Sequence, residues 1–363
     1  LFRSNIVMLM LNKTNTFNAD LWNVWGKIFT AFIVVSVTTP LFGPVWSLVL
    51  AFLIAALQII VELNAGDIHQ HRIEKLTGIP GVTCTHRMVF FGAIYYPFDL
   101  LLRKIPVCNK PMDATALRAK VGVFAENHII GFILGILFGI IAGYSVAKTL
   151  MLGVQAATAL VLFPMISKLF MQALSPISEA ISDYMNKKFS GRKLFVGIDW
   201  PFMGGASEIW FAIIVAIPFT LIWALILPGN KILPFAGIIN ISLIVPAYLV
   251  TRGNTLRMVI LSIIGVPFFL FVGTQFAPMI TELGQATKAI TIPAGQLISN
   301  SSIDAPVFTY AFSFLFKFLE GNFIPLVFAL WWGCGYFFYS RELRRESNLA
   351  QLEAEQQEKA QQA

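Results

Sequence analysis

Gly78-Ile-Pro-Gly-Val-Thr-Cys-Thr-His86 lies between long apolar runs, yet it brings two threonine hydroxyls, a thiol and an imidazole into them. Whether the chain crosses a bilayer after this stretch or turns back within it decides the architecture. The surroundings are clear: of 363 residues 57% are hydrophobic and 12% charged, against about 25% charged in soluble domains. Runs near the ~17 to 25 residues that cross a hydrocarbon core as helix recur along the chain. Lipid offers no partner to open backbone groups, so these runs are helical. The expectation is an all-α polytopic transmembrane bundle with re-entrant segments, in place of a soluble domain with an anchor.

Working outward, the spans expected are Ile28 to Thr39, joined through Pro40, Gly43 and Pro44 to Val45 to Val61; Val82 to Leu102; Phe124 to Val146; Thr149 to Leu174; Ala206 to Leu227; Ile232 to Val250; Leu256 to Thr274; and Phe323 to Tyr339. From Gln275 to Gly321 the apolar pieces are short and broken by Pro278, Pro293, Gly295 and Pro306, which fits a re-entrant or surface segment. Residues 1–340 read as one transmembrane domain and 341–363 as a polar cytoplasmic tail without chemistry. Leu1 to Leu11 has no signal-peptide form and reads as the end of a helix whose beginning is missing, so the chain is expected to be N-terminally incomplete.

Arg341, Arg344 and Arg345 follow the last span and put the C-terminus in the cytoplasm. Counting back, Arg252 to Arg257, Lys187 to Lys193 and Arg103 to Lys120 fall on the same side. If Val82 to Leu102 spans, the charged loop Asp67 to Lys75 lies outside; if it turns near Gly92 and returns, that loop joins the other basic ones inside. The re-entrant course is preferred, and non-helical backbone at that depth marks a pathway.

The net charge of +7 is scattered over short connections, as positive-inside bias requires, and implies no nucleic acid. Cys84, Cys108 and Cys334 form no C-x-x-C and suggest neither disulfides nor a metal site. There is no P-loop and no H-E-x-x-H, and no serine or cysteine nucleophile with a neighbouring base stands out. No catalytic residue, metal or cofactor is expected.

Polar candidates are few. Glu126, followed by Asn127 and His128, sits at the mouth of an apolar helix, where a carboxylate either caps in water or faces a cavity. His86, with Thr83 and Thr85, supplies donors and acceptors suited to a polyol or to a satisfied core. Asp199, in Gly197-Ile-Asp-Trp-Pro, is either a helix-start cap or a ligand. Gly131, Gly135, Gly139 and Gly143 form a ridge of bare backbone on one helix face, for tight packing or for sliding. Arg252-Gly-Asn-Thr-Leu-Arg257 suits a tight turn or a docking point for a soluble partner.

Taken in order, Asp20-Leu-Trp-Asn-Val-Trp25, Gly81 to His86, Arg103-Lys-Ile-Pro106, the Glu126 segment running into Gly139-Ile-Ile-Ala-Gly-Tyr144, Gly197-Ile-Asp199, Pro228-Gly-Asn-Lys-Ile-Leu-Pro-Phe235 and Arg252-Gly-Asn254 resemble the membrane subunit IIC of galactitol-type sugar phosphotransferase systems. The resemblance implies a multi-pass permease of a bacterial inner membrane that binds galactitol or a related polyol. It moves the polyol inward while a soluble IIB subunit, charged on a cysteine by IIA, phosphorylates it. It also implies a homodimer in membrane lipid, with a substrate-carrying core that moves against a scaffold. Substrate ligands would be His86, Glu126, Asp199 and Gln275, with Thr85 and Asn127. The family usually has Pro-His-Gly where this chain has Thr85-His86-Arg87, and Gly where it has Ala125. The alternatives are a proton-coupled carrier using Glu126 or His86, and an intramembrane enzyme, which the missing nucleophile and ligand spacing disfavour.

Overall fold

The computed structural model describes residues 2–20, 22–110, 126–188, 192, 194–232, 236–299 and 306–362. Part of the basic loop Arg103 to Lys120, the first residues of the span expected from Phe124, part of Lys187 to Lys193 and the end of the Pro228 to Phe235 motif lie outside them. The fold is an all-α membrane bundle, and helices at Val24–Thr77, Val146–Ile166, Ser207–Ile226 and Thr255–Thr287 are each apolar and long enough to cross a bilayer.

After a short helix α1 (Phe2–Met10) and a strand β1 (Thr16–Asn18), the chain enters α2 (Trp22–Thr77), 56 residues that hide a reversal. Gly43 leaves helical geometry at φ 76, ψ 170, between Pro40 and Pro44. Lys27 and Glu62 are 35 residues apart yet form a buried ion pair. A straight helix would separate them by about 52 Å. The two arms, 22–42 and 44–77, therefore run antiparallel, and the bend falls where the sequence places Pro40, Gly43 and Pro44. Asp67 to Lys75, expected as a loop, continues the second arm as helix, because Ala65, Ile68 and Arg72, and His69 and Ile73, bury at three- and four-residue spacing and leave no break.

The stretch from Gly78 contributes β2 (Val82–Cys84) to a three-stranded parallel sheet of order β1-β3-β2, with β3 at Phe195–Ile198. Asn18 pairs with Gly197, and Cys84 with Ile198. Three distant chain crossings thus satisfy one another's backbone groups, as buried non-helical backbone must. The sheet is anchored to the second arm of α2: Thr14 and Thr16 hydroxyls and the Asn15 amide donate to Asp67 at 2.9, 2.8 and 3.0 Å, and Thr83 donates to the Gly66 carbonyl. Gly197 has no Cβ because one would stand 2.6 Å from the Thr85 methyl.

A 3-10 turn (Arg87–Phe91) leads into α3 (Gly92–Leu102), then come α4 (Asn127–Ile141) and α5 (Val146–Lys188). The glycine ridge joins α4 to α5: a methyl on Gly135 would lie 2.5 Å from the Leu152 carbonyl oxygen, and one on Gly131 2.6 Å from that of Ala156. After β3 follow α6 (Ser207–Ile226), α7 (Ala236–Thr251), α8 (Thr255–Thr287), the buried α9 (Pro306–Ser313) and α10 (Ile324–Gln362). Helix α8 outlasts its expected end at Thr274, since caps and not lipid set its limits. Asn254 accepts from the Arg257 amide at the start, and Lys288 closes the end in the left-handed region, φ 54. Helix α10 likewise runs through residue 340 with Leu343 buried, so the tail's first turns pack onto the bundle. There Glu342 meets Arg103 at 2.9 Å, Arg252 at 3.1 Å and Arg72 at 3.5 Å, tying the ends of α2, α3 and α7 to one carboxylate.

Candidate functional site

Parallel strands deliver the residues that follow them to one edge. β1 ends on Asn18 with Asp20 beyond it, β2 is followed by Thr85 and His86, and β3 by Asp199. One side-chain atom each of Asp20, His86 and Asp199 lies within 4.8 Å of the other two, with Asp20 and His86 buried. His86 Nε2 is 3.8 Å from Asp199 Oδ1.

The imidazole's orientation follows from the turn it caps. His86 Nδ1 accepts the Met88 amide hydrogen at 3.3 Å, so a neutral ring carries its proton on Nε2, facing the carboxylates. The three atoms are close enough to surround a small cation, but a metal-bound histidine donates from its other nitrogen. Here that nitrogen accepts. One donor beside two carboxylate acceptors is instead the equipment for neighbouring hydroxyls, each of which donates and accepts.

Asn18 aligns two of the strand ends. Its Oδ1 accepts from the Thr85 hydroxyl and from the Asp20 amide, both at 2.9 Å, while its own amide donates to Asn5 Oδ1 at 2.9 Å. Thr85 is thereby spent on holding the sheet and Thr83 on the helix. Behind this edge, Gln58 donates to Glu62 at 2.8 Å beside the Lys27 pair. Arg87 lays its guanidinium over Gly26, and its charge acts on both Lys27 and Glu62.

Of the residues singled out by sequence, His86, Asp199 and Thr85 come together here. Glu126 does not join them: it precedes α4, its carbonyl accepting from the Ile129 and Ile130 amides at 3.0 Å, and its half-exposed carboxylate lies 3.9 Å from His128. Asn127 opens the same helix. Gln275 is half-buried on α8, and neither it nor Glu126 hydrogen-bonds the strand-end residues. Sequence reading missed Asp20 and Asn18 as site residues, although Asp20 heads a motif of the resemblance. It also trimmed Lys27 and Glu62 from the spans at Ile28 and Val61. A hairpin centred on Gly43 and Pro44 would have set those two boundaries face to face.

Residues 1–295 match the model of the family described as "PTS system sugar-specific permease component", the EIIC-GAT type. The chain is 29% identical over 299 residues to the galactitol-specific EIIC component of Escherichia coli strain K12, and equally to that of Escherichia coli O157:H7. Each alignment covers 82% of this chain and 64% of the relative. A putative permease IIC component of strain K12 is 30% identical over 289 residues, 78% of this chain and 64% of that one. The chain thus spans a little under two thirds of the length of these relatives. With 295 residues in register with the family model, it belongs to the sugar-specific permease (EIIC) components of the phosphotransferase system.

Proposed function

We propose that this protein is the membrane permease of a phosphoenolpyruvate-dependent phosphotransferase system. It binds galactitol or a related polyol and passes it across the bacterial inner membrane to a soluble IIB subunit, which phosphorylates it. The cluster of His86, Asp20 and Asp199 carries the reading: a donor and two acceptors within 4.8 Å, the first two residues buried and Asp199 partly so, at the edge of a sheet in an apolar bundle. His86 Nε2 gives its hydrogen to one hydroxyl oxygen, Asp20 and Asp199 accept from hydroxyl hydrogens, and Asn18 and Thr85 fix the distance between the strands that bear them. The names of the relatives support galactitol as the first polyol to test.

Glu126 and Asn127 stand at the start of α4 and Gln275 on α8, and in this reading they are further contacts of the sugar during its passage. We also infer a re-entrant course for the segment opened by Gly78. Arg72 and Arg103, on either side of it, reach the same Glu342, which supports entry and return at one face. Positive-inside bias makes that face cytoplasmic, together with Arg341, Arg344 and Arg345 and the tail after residue 340. The protein is taken to work as a homodimer.

The test is uptake of labelled galactitol by membrane vesicles that carry the intact protein, with and without phosphoenolpyruvate and the soluble subunits. Label retained as phosphate ester, only when both are supplied, is the expected result. Free polyol accumulating with a proton gradient alone would replace this reading with proton-coupled transport.

A further inference from the structure

At the charged end of the bundle the last turns of α2, the end of α7 and the outer part of α10 enclose a cavity of about 410 Å³. His71, Lys75 and Arg252 line it on the polar side and Leu76, Leu249 and Leu349 on the apolar side. The one carboxylate in its wall, Glu346, is already occupied: Arg72 donates to it at 2.7 and 2.9 Å, and Arg252 Nη2 pairs with its other oxygen. Arg72 is used up in the same way, its remaining nitrogen donating to the Leu249 carbonyl and the Tyr339 hydroxyl. What is left is mostly donor capacity, with the Tyr248 hydroxyl beside it. Lys75 is exposed and enters no ion pair, His71 is half-buried, and Arg252 Nε and Nη1 make no hydrogen bond among the described residues. Cations at helix C-termini are partly explained by the helix dipole, but a dipole asks for neither an apolar wall nor a shared cavity.

We propose that this cavity binds the phosphodiester headgroup of an anionic phospholipid. A wall whose only carboxylate is already paired and whose free groups are chiefly Lys75 and Arg252 donors favours an oxyanion. The leucine wall, placed where the apolar part of α7 ends at Thr251, suits the glycerol and first methylenes of a molecule delivered from the adjoining bilayer. A lipid seated there would brace α10 against α2 and α7 beside the joint that Glu342 and Glu346 make with Arg72 and Arg252.

The experiment uses the intact protein in phosphatidylcholine nanodiscs with rising shares of phosphatidylglycerol, following the thermal unfolding midpoint. For the wild type the midpoint rises with phosphatidylglycerol and the rise shrinks in high salt. The double variant His71→Gln with Lys75→Gln, which touches no ion pair, keeps its midpoint in pure phosphatidylcholine. Its apparent affinity for phosphatidylglycerol falls about fivefold or more, the loss of the Lys75 charge alone accounting for about fivefold. Lys75→Arg retains the response and guards against a folding defect. An equal response in wild type and double variant overturns the proposal. So does a saturable rise of the same size with inorganic phosphate in detergent, which would give the site to free phosphate.

Discussion

At His86 the hydrogen bond accepted by Nδ1 from the Met88 amide leaves Nε2 as a donor beside Asp199, with Asp20 within reach of both. Removing the donor while both carboxylates stay should weaken polyol binding more than it harms the fold. His86→Ala is expected to cost about tenfold or more in affinity, the equivalent of one hydrogen bond to a charged network, ~1.5–3 kcal/mol, read as the dissociation constant of labelled polyol. Asn18 acts through others. Asn18→Leu removes the acceptor shared by Thr85 and Asp20, so binding should fall although Asn18 is not itself counted as a ligand. Asn18→Asp, which keeps the oxygen, should recover most of it. Sequence made His86, Thr85 and Asp199 visible because polar side chains in oil demand a reason. Asn18 and Asp20 stayed hidden because they precede a span, where such residues ordinarily cap helices. Glu126 drew attention for its apolar neighbourhood, and its surroundings in the fold are half exposed.

The helical hairpin of α2 sets Lys27 against Glu62 inside the bundle, where a lone charge is expensive. Lys27→Met leaves Glu62 without its cation and is expected to destabilise by ~3–5 kcal/mol, whereas Lys27→Met with Glu62→Leu should regain most of the loss. Thermal midpoints of the three proteins in one detergent check this. The α4–α5 hairpin is held by bare backbone: Gly135→Ala pushes a methyl toward the Leu152 carbonyl oxygen, which cannot move aside as a side chain would. An overpacking cost of ~1–3 kcal/mol is expected, visible as a lower midpoint. Bend and ridge were both legible, since Pro40, Gly43, Pro44 and the four-residue glycine period are local signals. The sheet was not. Strands of three and four residues are too short for periodicity to register, and β1 meets β3 across about 180 residues of sequence.

Over the whole molecule, one end is held by arginines from three elements converging on Glu342 and Glu346 of α10. Burial pushes the Glu342 carboxyl up, but the hydrogen bonds and charge of Arg103, with Tyr96 and Arg252, outweigh it and hold it below its ordinary value of 4.5. A carboxylate lowered by folding contributes stability that is full above 4.5 and is lost as pH falls through the folded value. Glu342→Gln should therefore lower stability at neutral pH by ~1–3 kcal/mol, and the gap to wild type should close under acid. Midpoints measured from pH 7 downward check it. The membrane class was legible from composition, and the cytoplasmic side was inferred from charge. The joint was not, because it brings together residues up to 274 positions apart. The claim that unites these scales is that the strand-end cluster holds the sugar. Its most direct test is equilibrium binding of labelled galactitol to the purified intact protein, as wild type and as Asp199→Asn. Saturable binding that falls at least tenfold in the variant, with an unchanged thermal midpoint, is predicted, and equal binding by the two proteins would contradict it.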